Sequence, residues 1–178
     1  REAVSGRHSD APQAMDQYSR TLRHLLSIVP QLNDNIDHPH IAGGMVALYS
    51  FMQGKELVGQ ERALGAIGFT QGAFSHEMRQ ELVDRIDGQQ LCFDTFISLA
   101  SPTVVHAFRQ QCEAEAAIEQ WRRLACTRQP APDKGESALR WFTLQTQRLE
   151  QLRSIEEMLI AELMSAVERR LAQDGRLT

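Results

Sequence analysis

Apolar side chains recur every three or four positions along most of this chain, which is the spacing of one face of an α-helix. The clearest early stripe follows Pro12 and consists of Met15, Tyr18, Leu22, Leu25, Val29 and Leu32. A turn-rich segment, 33–40, then separates this helix from a second one, which we expect from Ile41 to about Phe69. No stretch alternates apolar and polar residues as a half-buried strand does.

The pattern predicts further helices towards the C-terminus. Ser75 is a favourable N-cap for a third helix, which the Ser101-Pro102 pair ends. The region from Thr103 to Cys126 predicts helix in one or two pieces, because its EAEAA run offers little to bury. A last helix is expected from Ser137 to about Gln173, roughly 55 Å long at 1.5 Å per residue. The fold class is therefore all-α, an antiparallel four-helix bundle with one shorter extra helix and a long C-terminal helix.

Length and charge limit the architecture and the partners. With 178 residues the chain can build one well-buried core, so we interpret 1–178 as a single helical bundle. Helix 137–173 is longer than a small bundle needs, so we expect it to project towards an effector. The net charge is -4 with both signs dispersed, whereas a nucleic-acid-binding surface would show a basic stripe.

Cysteine usage and hydropathy favour the cytoplasm. The three cysteines, Cys92, Cys112 and Cys126, lack CxxC spacing, which argues against a disulfide scaffold or a zinc site. No apolar run approaches the ~18 residues that span a bilayer, so we expect no membrane association through a spanning segment.

Patterns for catalysis or metal binding are weak. A helical di-iron site needs Glu-x-x-His pairs, and no histidine here follows a glutamate at that spacing. His38 and His40 flank Pro39 beside Asp37, but a solvated turn explains them more simply than a metal loop. We therefore expect no catalytic residue, no metal and no cofactor, and a protein that is not an enzyme.

The second predicted helix has one unusual face. At helical spacing it carries Leu48, Met52, Lys55, Gly59, Arg62 and Ala66, where an ordinary core stripe would have leucine or isoleucine in the middle. Gly59 costs such a helix about 1 kcal/mol relative to alanine, so the space that it leaves needs a reason. An arginine facing a gap indicates an anion site, to which Lys55 can contribute charge.

A second arginine lies within an apolar stripe of the last helix, which consists of Trp141, Leu144, Arg148, Leu152, Ile155 and Leu159. A structural alternative holds for both arginines: each can pair with a carboxylate, for which the candidates are Glu56, Glu61 and Glu150, or reach water. Lys55 can equally reach solvent from the flank of its helix.

The central run resembles the nitrate- and nitrite-sensing (NIT) domain family. The similarity is carried by 52–56 (MQGKE), 59–63 (GQERA) and 65–69 (GAIGF), and it extends from about Ala11 to Leu171. Further matching positions are Gly72, Phe74, Gln89, Phe93, Trp141, Phe142, Thr146 and Arg148.

The resemblance implies an all-α protein of two stacked bundles, of which this chain is similar to the second. It implies a nitrate or nitrite pocket between the bundles, with an arginine from each, and Arg62 is the matching position here. We add Arg148, Lys55 and Gly59 from their places on the helices. The implied partners are the anion, an N-terminal helical bundle and, in one branch, a C-terminal RNA-binding antitermination module of the same protein. The chain could also form a homodimer.

A different class of function also fits the sequence. A bundle with half a pocket is equally a surface on which a neighbouring domain or a second copy can dock without any small molecule. The residues alone leave this alternative open.

Overall fold

The structure is a computed structural model that describes residues 39–111, 115–127 and 133–175. Its helices are α1 Pro39–Gln71, α2 His76–Leu99, α3 Pro102–Gln111, α4 Glu115–Cys126 and α5 Lys134–Asp174. No strand occurs in these three ranges. The predicted all-α helical bundle with a long C-terminal helix is confirmed, and the described residues contain two short helices where one was predicted.

The observed bounds lie close to the predicted ones. α1, α2 and α5 each begin and end within about three residues of the expected positions. In the region from Thr103 to Cys126, the described residues belong to two helices, α3 and α4. The predicted first helix, with its stripe from Met15 to Leu32, and the loop residues Asp37 and His38 lie outside the described residues.

The turn between α1 and α2 follows from two residues. Gly72 has φ 74°, a conformation that glycine adopts without strain, and the Ala73 N–H donates to the Gly68 carbonyl at 3.2 Å. Ser75 then caps α2, as predicted, because its hydroxyl accepts a hydrogen bond from the Met78 N–H at 3.1 Å.

The described residues fall into two compact units. Pro39–Ala166 contains α1 to α4 and most of α5, and the second unit includes the end of α5 from Val167. The interpretation of 1–178 as a single bundle stays a prediction. Among the described helices, none is both long and apolar enough to cross a membrane.

Two aromatic clusters form much of the core of the Pro39–Ala166 unit. In the N-terminal half of α1, Phe51 packs edge-on against Phe96 at 4.9 Å between ring centroids, together with Phe93 and Phe108. Towards the other end of α1, Phe69 packs against Trp121 at 5.2 Å, together with Phe74 and Trp141. Residues 52–68 of α1 connect the two clusters. The candidate site residues of α1 therefore lie between two packed aromatic groups.

That stretch of α1 buries a different face from the one with the unusual residues. The buried stripe is Phe51, Gly54, Val58, Glu61, Gly65 and Phe69. Lys55, Gly59 and Arg62 are half-buried at its edge, towards α5, which runs antiparallel to α1. The candidate ligand-binding residues therefore lie at the border of the core, where they stay accessible.

Candidate functional site

Arg62 lies at the border between α1 and α5 with its guanidinium held from two sides. Its Nη1 donates a hydrogen bond to the Thr146 hydroxyl at 3.0 Å, and its Cζ lies over the Phe142 ring, 4.6 Å from the centroid. Within the described ranges, no carboxylate forms an ion pair with Arg62. The pairing alternative for this arginine is therefore not observed among those residues.

The backbone of the same residue is also fixed by α5. Trp141 Nε1 donates to the Arg62 carbonyl at 2.9 Å, and the indole is fully buried. Gly65, one turn further along α1, makes room for this indole, because a Cβ there would overlap it. Close approach of α1 and α5 thus depends on a small residue at position 65.

Space is present beside Gly59, one turn before Arg62. A Cβ at this position would meet no atom within 4 Å other than its own helix backbone and chain neighbours. The missing side chain therefore serves no packing contact with another described residue. Glycine inside a helix is unfavourable, so its presence here needs a reason. The open space that it leaves beside the half-buried guanidinium gives a ligand, or the backbone of another element, room to approach.

A buried polar network lies behind Arg62, one residue earlier on α1. Glu61 is fully buried and accepts hydrogen bonds from Arg122 Nε at 2.7 Å and Nη2 at 2.9 Å, and from Gln89 Nε2 at 2.7 Å. Arg148 Nη1 lies 3.6 Å from Glu61 Oε2 and donates to Gln89 Oε1 at 3.0 Å. Four helices, α1, α2, α4 and α5, therefore meet at one carboxylate.

Arg122 stays charged within this network. Burial by itself would lower its pKa, but hydrogen bonds and attraction from Glu61 and Glu119 outweigh burial and raise the pKa above its ordinary value. Glu119 lies three residues earlier on α4, with its Oε1 2.6 Å from Arg122 Nη1. The network is thus held together by ion pairs between helices.

Two predicted ligand residues take part in ion pairs within the bundle. Arg148 is 7% exposed and lies at the Glu61 carboxylate, which is the pairing that the sequence left open. Lys55 Nζ forms an ion pair with the buried carboxylate of Glu156 on α5. The structure therefore brings Arg62 and Gly59 together at an accessible edge, whereas Lys55 and Arg148 have structural partners. Their roles as ligands stay predictions.

Sequence reasoning missed Arg122 and the central place of Gln89. A signal for Arg122 was available, because it lies four residues after Ile118 and three before Ala125, both of which are buried. Gln89 is one of the positions that carry the family resemblance, but nothing in the spacing indicated its burial, since a glutamine on a helix is ordinarily solvated. Its burial follows from the four-helix meeting point, which only the packing reveals.

The described cysteines are not activated for chemistry. Burial raises the pKa of the Cys92 thiol, and it does the same for Cys126 despite the opposing charges of Arg79 and Arg122. Cys112 lies outside the described residues. In the ranges that the structure covers, no three His, Cys, Asp or Glu side chains are grouped as a metal site would require.

Comparisons with known proteins identify the family of this chain. The family model for nitrate and nitrite sensing matches residues 1–164. The nitrate regulatory protein of Klebsiella oxytoca is 64% identical over 168 residues, which is 94% of this chain and 42% of that protein. The structure of the NasR transcription antiterminator matches with a TM-score of 0.72 and 66% identity, over 89% of this chain and 43% of that one.

These matches confirm the resemblance that the central run carries. Both relatives are named as regulators, one of nitrate response and one of transcription antitermination. The chain spans less than half the length of either.

Proposed function

This chain belongs to the nitrate- and nitrite-sensing family, and from that premise we propose that it is the ligand-sensing part of a regulator in which Arg62 binds nitrate or nitrite. The observation that carries the proposal is the state of the Arg62 guanidinium. It is half-buried, held by Thr146 and Phe142, and without an acidic partner among the described residues.

The chemistry of the two groups is complementary. Nitrate is a flat anion with equivalent oxygens, and guanidinium is a flat cation that donates two parallel hydrogen bonds. Only one N–H of Arg62 is used by Thr146. The remaining N–H groups can take a flat oxyanion, and the open site at Gly59 gives it, or the backbone of a partner element, room to approach.

We place the site at an interface with another helical bundle of the same protein. The family resemblance implies a second arginine from that bundle. Two guanidiniums at about 4 Å repel by about 4 kcal/mol at an effective dielectric constant near 20. An anion between them reverses that repulsion and favours the closed arrangement of the bundles. Signalling needs such a difference between states, because equal affinity for both shifts nothing.

The proposal gives Lys55 and Arg148 supporting roles. Removing either residue from its ion pair to bind nitrate would leave Glu156 or Glu61 with less compensation in a buried position, which costs several kcal/mol. Direct contact with the anion is therefore assigned to Arg62, and Lys55 and Arg148 contribute positive charge nearby.

The names of the relatives support a proposal for the module that this sensor regulates. Since one is a nitrate regulatory protein and another a transcription antiterminator, we place a C-terminal RNA-binding module after α5 and the whole protein in the cytoplasm. α5 contacts Arg62 near its start and ends at Asp174. A shift of α5 on anion binding would thus reach whatever follows it.

Calorimetric titration of the full-length protein with nitrate, nitrite and chloride tests the proposal. Arg62→Ala should weaken nitrate binding at least about 100-fold, because it removes hydrogen bonds between charged partners. Arg62→Lys should lose most of the affinity, since a lysine cannot donate in the same fork. Arg153→Ala, which removes an exposed arginine of α5 that pairs with the exposed Glu157, is the matched control and should bind as wild type.

The result that would reject the sensor role is full nitrate affinity in a folded Arg62→Ala protein. Loss of the fold in the absence of ligand would instead identify Arg62 as a structural residue. Circular dichroism and thermal melts of each variant distinguish these outcomes, because helicity should stay nearly unchanged if the residue acts on ligand alone.

A second candidate function has its own observation. Leu139 and Phe142 of α5 lie one turn apart and are 66% and 45% exposed. Apolar side chains at that spacing suit a docking or dimerisation module that binds no small molecule. Absence of nitrate and nitrite binding in the titrations, together with a dimer in sedimentation analysis that Phe142→Ser dissociates, would favour this alternative.

A further inference from the structure

Three residues of α5 hold Arg62 in the described part of the chain. Trp141 fixes its carbonyl, Phe142 lies under its guanidinium and Thr146 accepts from its Nη1. We propose that Phe142 and Thr146 are positioning residues of the anion site, which hold the guanidinium in the orientation that a flat oxyanion requires. This inference rests on the proposed function of Arg62.

The two residues restrict different motions of the side chain. An arginine has several rotatable bonds, and ordering it costs about 2 kcal/mol or less of rotamer entropy. The Phe142 ring offers a face to the cation, which limits tilting, and the attraction is stronger where water is partly excluded. The Thr146 hydroxyl, at 3.0 Å from Nη1, limits rotation of the fork within its own plane.

Holding the Arg62 guanidinium in its binding orientation before the anion arrives should increase the affinity for the anion. A fork that is already oriented does not lose rotamer freedom when the anion binds, so less of the binding free energy is spent on ordering. Neither residue needs to touch the anion for this effect. Thr146 nevertheless has a second consequence, because it occupies one N–H and leaves the others for the ligand.

The same contacts couple the site to α5. Because Trp141 holds the backbone of residue 62 while Phe142 and Thr146 hold its side chain, a displacement of α5 changes the orientation of the guanidinium. By linkage, an anion that binds one orientation more tightly favours the corresponding position of α5. Phe142 and Thr146 would therefore belong to the route by which binding reaches the C-terminal end of the chain.

The test uses titration of the full-length protein with sodium nitrate. Thr146→Val removes the hydroxyl at nearly constant shape and should weaken nitrate binding about 5- to 30-fold, with the melting temperature of the ligand-free protein unchanged within about 2 °C. Thr146→Ser restores the hydroxyl and should recover affinity to within about 3-fold of wild type. Phe142→Leu should weaken binding about 3- to 10-fold. Arg153→Ala, on the same helix at an exposed position paired with Glu157, is the control and should bind nitrate as wild type.

A double-mutant cycle separates positioning from a general structural role. If Thr146 acts through Arg62, then Thr146→Val should cost less than about 2-fold in an Arg62→Lys background, where there is no fork to orient. The positioning proposal is overturned if Thr146→Val binds nitrate as wild type while Arg62→Ala does not, and the sensor function then stands. Normal binding by Arg62→Ala would instead overturn the proposed function and this inference together.

Discussion

Arg122 donates two hydrogen bonds to the carboxylate of Glu61, from Nε at 2.7 Å and from Nη2 at 2.9 Å. The carboxylate is fully buried, and the arginine side chain is only 11% exposed. Charges of this kind are tolerated in a core only when their partners compensate the loss of water. The pair therefore ties α4 to α1, directly behind the residue that we assign to the anion.

Replacing Glu61 with glutamine should lower the free energy of unfolding by about 3 kcal/mol. The substitution removes the buried charge that the guanidiniums of Arg122 and Arg148 both face, although Arg122 keeps its pair with the more exposed Glu119. Urea unfolding followed by circular dichroism measures the change. Glu119→Gln is the control, because that side chain is 45% exposed, and it should cost less than about 1 kcal/mol. Equal costs for the two variants would contradict a special role for Glu61.

Two glycines of α1 should respond in opposite directions to alanine. Gly65→Ala places a Cβ against the buried Trp141 indole and should destabilise the chain by about 2 kcal/mol. Gly59→Ala meets open space and should stabilise the helix by up to about 1 kcal/mol. Chemical unfolding of both variants beside wild type checks the contrast. Destabilisation by Gly59→Ala would show that this position packs against something within the chain.

Gln145 should be replaceable by leucine with a gain in stability. Its amide is fully buried, and among the described residues neither its oxygen nor its nitrogen has a hydrogen-bond partner. Leucine removes that desolvation cost at similar volume, so the free energy of unfolding should rise by about 1 kcal/mol. Gln147→Leu, at an exposed position two residues on, should change stability by less than about 0.5 kcal/mol. A loss of stability in Gln145→Leu would mean that the amide has a required partner in solution.

The carboxylate of Glu77 should stabilise the folded state at neutral pH, and this contribution should be lost in strong acid. Hydrogen bonds from its own backbone N–H and from the Ser75 hydroxyl lower its pKa below 4.5 at the start of α2. The folded state therefore favours the ionised carboxylate. The contribution is complete above about pH 4.5 and is lost as the pH falls through the folded pKa.

Thermal melts at about pH 6 and at a strongly acidic pH below the folded pKa test this linkage, since the two conditions then lie on either side of the transition. Wild type should lose more in melting temperature between them than Glu77→Gln, whose side chain does not titrate. An identical loss in both proteins would show that the carboxylate is not stabilised at the N-terminus of α2.

The sequence by itself determined the helices of the described ranges and indicated a candidate residue for an anion site. Apolar spacing, the Ser75 cap and the Ser101-Pro102 stop are local signals, and local signals set element type and approximate bounds. The glycine and arginine on one face of α1 likewise pointed to Gly59 and Arg62, because a helix tolerates such residues only for a reason. The GQERA run, residues 59–63, then indicated the family.

Only the tertiary structure decided how the charges are paired. Arg62, Arg148 and Lys55 all interrupt apolar stripes, so spacing along one helix cannot separate a ligand residue from a partner of a buried carboxylate. The distinction depends on what another helix presents: Glu61 faces Arg148, Glu156 faces Lys55, and α5 offers Arg62 a hydroxyl and an aromatic ring. Burial of a charge is compensated across helices, and that compensation is a property of packing that no single helix encodes.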